Sequence, residues 1–163
     1  MIRKIISGGQ PGAERAALDA ALKNELKTGG WCAKGRVSTD GIIPMKYDLR
    51  EIAVDDASKK DELNLRDATG TIVIYDGSEN SLTHHMVELG KKHNKPCLLI
   101  NLQNEPIEEK EMILLWLDAN KIINLYITGP EGNSNSDIYK KTLRLLNNVF
   151  LDCRIEDEED YND

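Results

Sequence analysis

Residues 8 to 12 read GGQPG, and they lie between an isoleucine-rich, strand-like segment, Ile2 to Ile6, and an Ala-rich stretch that begins AERAALDAA. A strand that turns through glycines into a helix is how α/β proteins seat a phosphate or another anion. Gly8, Gly9 and Gly12 let a ligand approach the backbone, and the helix aims unpaired N–H groups and partial positive charge at the turn. Pro11 removes one donor, but proline is well tolerated at the start of a helix, where the missing N–H lacks an intrahelical partner anyway. Arg15 in the first helical turn opposes the macrodipole, so it needs a ligand or a local partner, and Glu14 and Asp19 are the local choices.

Four further loops carry groups that could meet the same ligand. GGWCAKGR (29 to 36) offers Lys34 and Arg36 beside a flexible turn, and NLRDATG (64 to 70) offers Asn64, Arg66 and Asp67 before a strand. DGSENSLTHHMVELG (76 to 90) has Ser81 and Thr83 as candidate caps or ligand hydroxyls, with Glu88 one turn inside the helix. TGPEGNSNSD (128 to 137) contributes Gly129 and a polar turn. Each loop also reads as an ordinary solvated connection. Together they suit a single crevice at the carboxyl edge of a sheet.

Several chemistries leave no mark. There is no GxSxG, no GxGxxG, and no P-loop, because GGQPGAER lacks the closing Lys-Ser/Thr pair. His84 and His85 are adjacent, so on a helix they point to different sides and make a poor metal pair. Cys32, Cys97 and Cys153 are far apart, without zinc spacing, and are expected to be reduced thiols, so no metal site is assigned.

The elements that must position these loops follow from periodicity. Strands are predicted at Lys4 to Ser7, Thr71 to Tyr75, Cys97 to Asn101 and Ile122 to Ile127, with a shorter one near Thr28 to Trp31. Helices are predicted at Ala13 to Asn24, Lys59 to Asp67, Thr83 to His93, Pro106 to Asn120 and Ser136 to Leu151. Alternation of this kind predicts an α/β fold: one three-layer, Rossmann-like domain with a mostly parallel sheet flanked by helices, over residues 1–151. Residues 32 to 58 lack periodicity and read as a long connection, often a functional one. The 163 residues, 40% hydrophobic, suffice for one core. Nearly all of the net charge of -7 falls in the last twelve residues, so 152–163 is expected to be a disordered acidic tail on an almost neutral body. No apolar run is long enough to span a bilayer and no signal peptide is visible, which predicts a cytoplasmic protein without membrane contact. Aromatics are 5% of the chain and no basic stripe is present, so no nucleic-acid partner is expected. Self-association through helices is common in this fold class, and a homo-oligomer is compatible with the sequence.

The order SGGQ.G..RAALDAAL, GGWC.KGR...DG.IP..Y.L.E, N.RD..GT, T....EL and GP resembles the putative molybdenum carrier family over roughly residues 3 to 150. That family is similar to a circularly permuted member of the Rossmann-like nucleotide-binding superfamily that includes Lonely Guy phosphoribohydrolases and the DNA-processing protein DprA. The resemblance implies a nucleotide-like or molybdopterin-type phosphorylated ligand. It carries over to Ser7, Gly8, Gly9, Gln10, Gly12, Arg15 and Asp19, to Gly30, Trp31, Cys32, Lys34, Gly35, Arg36, Asp40 and Gly41, and to Asn64, Arg66 and Asp67. Pro11 stands where threonine is usual, Glu14 where aspartate is, and Ala33 where proline is. Ser81, Leu82 and Met86 replace two glycines and a threonine, and Glu131 replaces an arginine.

Three functions are compatible with these residues. The leading expectation is a protein that binds a small anionic ligand, with Gly8, Gly9, Gln10, Gly12, Arg15, Lys34, Arg36, Asn64, Arg66, Asp67, Ser81, Thr83 and Gly129 around it. The second, by superfamily analogy, is a nucleotide N-glycosidase using Glu88 or Asp67. The third is a non-catalytic interaction module with a decayed pocket.

Overall fold

Ile72, Val73 and Ile74 are all fully buried, so the strand that carries them needs cover on both faces, which only a parallel sheet between helical layers supplies. In the computed structural model, which describes residues 2–160 and the side chains of 2–153, that sheet has five strands. They are β1 (Lys4–Ile6), β2 (Lys27–Gly29), β7 (Gly70–Tyr75), β8 (Cys97–Asn101) and β9 (Asn124–Thr128), in the order β2-β1-β9-β7-β8, and every pairing among them is parallel.

Five helices cover it: α1 (Ala13–Lys23), α2 (Ala57–Asp67), α3 (Ser81–His93), α4 (Pro106–Ala119) and α5 (Asp137–Asp160). Right-handed crossovers fix their faces. The chain moves one way across the sheet through α1 and α4, and the other way through α2 and α3, so the two pairs lie on opposite faces. Ala13, Ala17, Ala20 and Ala21 of α1 pack with Ile113 and Leu117 of α4 and Phe150 of α5 over Ile5, Ile72 and Ile74. Leu65 of α2 and Met86 and Leu89 of α3 pack over Val73 on the other side. This is the predicted three-layer arrangement.

Local chemistry sets the element ends. Asn80 caps α3 by accepting from the Leu82 and Thr83 amides, and Thr83 Oγ1 returns the bond from Asn80 N, a complete capping box. The helix stops at Asn94, in the left-handed region at φ 51°. The predicted strand near Thr28 to Trp31 is two pieces: β2, then β3 (Trp31–Cys32), broken at Gly30. Gly30 has φ 132°, and a Cβ there would lie 2.2 Å from Ser7 O, so only glycine fits.

The long connection holds more structure than its aperiodic sequence suggested. A 3₁₀ turn (Lys34–Arg36) leads into the hairpin β4 (Val37–Ser38) and β5 (Gly41–Ile42), and β6 (Arg50–Glu51) pairs in parallel with β3. At the far end α5 runs through Asp160, past the predicted end at Leu151. The tail expected to be disordered falls largely on residues 154–160, whose side chains are not described, and on 161–163, which lie outside the described residues. No helix among the described residues is long and apolar enough to cross a membrane.

Candidate functional site

The glycine turn after β1 is folded shut. Ser7, Gly8, Gly9, Pro11 and Gly12 are buried, and only Gln10 is partly exposed. Its Gly8 and Gly9 donors are consumed by the protein itself. The Glu14 carboxylate accepts the Gly8 N–H at 2.9 Å, and Ser7 Oγ accepts the Gly9 N–H at 3.1 Å while donating to Glu14 O at 2.8 Å. The loop after β9 covers the start of α1: Ala13 N–H donates to Pro130 O at 3.1 Å, Gly132 N–H donates to Pro11 O at 3.0 Å, and Gly12 bridges to Glu131. Pro11 therefore costs the turn nothing, because its carbonyl is what the structure uses. An internal carboxylate occupies the place expected for a ligand anion.

The cations expected to converge on that turn are separated. Arg15 is held by Asp40 through two bonds of 3.2 and 3.3 Å, donates Nε to Gly9 O, and lies 5.3 Å from the Tyr47 ring centre. Its predicted local partners are otherwise engaged, since Asp19 accepts from Tyr47 and Tyr139 and Glu14 is turned inward. Arg36, 7% exposed, donates to the carbonyls of Ile43, Pro44, Tyr47 and Leu49, so its charge organises the 43–49 loop. Arg66 is exposed and pairs with its neighbour Asp67 at 3.1 Å. A helix that runs back across the sheet ends at the amino edge, so the end of α2 is on the wrong side for a crevice where strands finish.

The remaining predicted residues fall in different places. Asn64, fully buried, clips the Trp31 backbone from both sides, accepting its N–H at 2.7 Å and donating to its carbonyl at 3.0 Å. Asp67 accepts the Trp31 indole N–H at 2.8 Å. Thr83 is used up in its capping box, and Ser81 is exposed beside it. Gly129 is a packing glycine, since a Cβ there would meet Ala13 and Ile74 at under 3 Å. Glu88 lies on the exposed side of α3, paired with Lys91 at 3.3 Å.

What the fold does build is a cleft of about 740 Å³ where the loops after β1 and β9 meet the long connection and the start of α2. Gln10 and Lys34 reach it from the predicted set; Ser38, Asp56, Lys60 and Glu131 complete the polar wall. Asp56 caps α2 by accepting from the Ser58 and Lys59 amides. Lys60 is 8% exposed and carries the buried ammonium of the cleft, 3.6 Å from Glu14. Burial pushes its pKa down, but the Glu14 and Asp61 carboxylates outweigh this and hold it above the usual lysine value. The sequence reading missed it, although a lysine one turn into a helix poses the same dipole problem as Arg15.

Behind Lys60 the polar network continues. Tyr126, fully buried on β9, shares its one hydroxyl proton between Glu14 and Asp61, 3.5 and 3.4 Å away, and burial raises its phenol pKa strongly. Burial likewise lifts Asp61 to about 6, with Lys60 lowering it and Glu14 raising it. His85 Nε2 lies 4.0 Å from Asp61, too far for a hydrogen bond, and has no other partner. The described residues contain no group of three or more His, Cys, Asp or Glu that could hold a metal ion. Their cysteines form no disulfide with one another.

Against known proteins, the sequence model of the circularly permutated YpsA SLOG family matches residues 5–150. A crystal structure of a putative molybdenum carrier protein from Syntrophus aciditrophicus SB is similar at 39% identity and a TM-score of 0.86, over 92% of this chain and 95% of that one. No curated protein matches.

Proposed function

The chain belongs to the circularly permutated YpsA SLOG family, and from that premise and the cleft we propose that it binds a small phosphorylated ligand, nucleotide-like or molybdopterin-like, between Lys34 and Lys60. The molybdenum carrier named for the similar structure supports the cofactor-like version. The observation that carries the reading is Lys60: a buried ammonium facing an open cleft of ligand size, beside the N-terminus of α2.

Charge narrows the ligand. Asp55, Asp56 and Glu131 line the same cleft as the two lysines, and Glu14 already neutralises Lys60 from behind. Four carboxylates against two lysines leave the cleft net negative, so repulsion grows with the charge of the ligand, and a monophosphate with donor groups on the rest of the molecule is opposed least. Hydrolysis through Glu88 or Asp67 has no comparable support, because neither side chain lines the cleft.

The test is calorimetric titration of nucleoside mono-, di- and triphosphates, molybdate and molybdopterin into the wild type and Lys34→Ala. Lys34 is exposed, so its removal leaves the fold intact. A monophosphate or molybdopterin that binds, and loses about tenfold in affinity in the variant, supports the reading. Silence from the whole panel at millimolar concentrations, or binding indifferent to Lys34→Ala, overturns it.

A further inference from the structure

A second pocket, of about 310 Å³, opens at the carboxyl end of β8, between the 101–105 loop, the first turn of α4 and the outer side of α5. It shares no lining residue with the larger cleft. Its floor holds Glu109, 4% exposed, which is deep burial for a carboxylate. Glu109 Oε1 accepts from Asn104 Nδ2 at 3.0 Å, and Oε2 has no hydrogen-bond partner at all. A buried carboxylate oxygen left without a donor is costly.

The opposite wall carries the complementary charge. Lys141 and Arg144, one turn apart on α5, are both exposed, line the pocket, and form no ion pair among the described residues. Asn101 holds the loop between them by accepting from the Gly77 and Gln103 amides, so the pocket is shaped before anything enters it. Two cations at the rim and one unsatisfied buried carboxylate at the floor, with Leu145 and Pro106 between them, match a molecule that is anionic at one end and a cationic donor at the other.

We propose that this pocket is a second, independent ligand site that takes a free α-amino acid, its carboxylate on Lys141 and Arg144 and its ammonium on the Glu109 carboxylate. The volume accommodates an amino acid with a medium-sized side chain against Leu145. The site owes nothing to the proposed phosphorylated ligand, and its occupancy is read separately.

The experiment is a backbone-amide NMR titration of the full chain with glycine, leucine, glutamate and lysine, and with acetate and ethylamine as half-ligands. It is run on wild type, Glu109→Gln, Arg144→Ala and Lys34→Ala. The expected result is saturable shifts confined to residues 101–109 and 141–145 with at least one amino acid, weaker by about tenfold in Arg144→Ala and Glu109→Gln, and unchanged in Lys34→Ala. Acetate and ethylamine should each bind much more weakly than the intact zwitterion. The proposal is overturned if no amino acid shifts these amides at tens of millimolar, if acetate alone does as well, or if Arg144→Ala binds as the wild type does. Should Glu109→Gln not fold, Arg144→Ala and Lys141→Ala decide the matter, since both replace exposed side chains. A drop in ligand-free melting temperature in both of those variants would show that the α5 cations already serve Glu109, and would also overturn it.

Discussion

Asp61→Asn should stabilise the protein at neutral pH and lose much of that advantage in mild acid. The Asp61 side chain is 14% exposed and burial lifts its pKa from 3.8 to about 6. An acid whose folded pKa lies above its unfolded one binds its proton more tightly in the native state. Its contribution is therefore fully present below the unfolded value and is lost as pH rises through the folded one. At 1.36 kcal/mol per unit the full penalty is about 3 kcal/mol, nearly all of it felt at about pH 7.5, and about 1 kcal/mol of it at about pH 4.5. Asparagine cannot ionise, yet keeps an oxygen for the Tyr126 hydroxyl. Urea unfolding of both proteins at the two pH values should show the variant ahead by about 3 and about 1 kcal/mol, and the neutral-pH gain is worth about 6–12 °C in melting temperature. A difference that does not change with pH, or a variant less stable at neutral pH than in acid relative to wild type, would refute the assignment of a charged, poorly solvated carboxylate at this position.

Lys60→Met strands the Glu14 carboxylate and should cost about 3 kcal/mol in urea unfolding, with Lys60→Met/Glu14→Gln recovering a large part of the loss; a single variant within about 0.5 kcal/mol of wild type contradicts a buried pair. Gly12→Ala places a Cβ 2.4 Å from Pro130 O at φ 107°, so a loss of about 3 kcal/mol or more is expected by thermal melting. Arg36→Ala removes the donor to four carbonyls of the 43–49 loop and should accelerate amide exchange there ahead of the sheet, an effect that Arg36→Lys cannot prevent because an ammonium has no fork of that span. Unchanged exchange at Ile43 to Leu49 would show that the loop is held by other contacts.

The sheet was legible because each of its longer strands is a continuous apolar run bounded by turn residues, and helix spacing separates them. Cys97–Asn101 falls where the sequence placed it, and the start of α1 at Ala13 does too. The long connection was not legible, because two-residue strands have no period. Its order comes from Arg36 and from the Trp31 clip by Asn64, both long-range side-chain bonds. The candidate site was half legible for a related reason. A sequence shows that Arg15, Lys34, Arg36 and Arg66 are charged, but not whether the charge is directed at a ligand or at the chain itself. Only Lys34 faces the cleft. Lys60 carried only the weak signal of a cation near a helix start, because a lysine on a polar helix is ordinarily solvated, and the burial of Glu14 against α2 is what draws it in.

Glu14 also decides what the glycine turn can do. A helix N-terminus attracts one anion, and here the anion is covalently part of the helix, bound to the Gly8 amide and neutralised by Lys60. A ligand phosphate cannot take that seat without expelling a carboxylate from a site that a Cβ on Gly8 would already crowd, 2.5 Å from Glu14 Oε2. What remains for a ligand is the outer face of the same pair: the ammonium of Lys60 seen from the cleft, with its charge half spent, beside Lys34 and opposite Glu131. The turn thus works as a buried template that fixes Lys60, and affinity in the cleft rests on one solvated lysine, one buried lysine and the hydrogen bonds around them. Binding built this way should be selective for shape and donor pattern and only weakly salt-dependent, unlike a site that relies on a row of exposed cations.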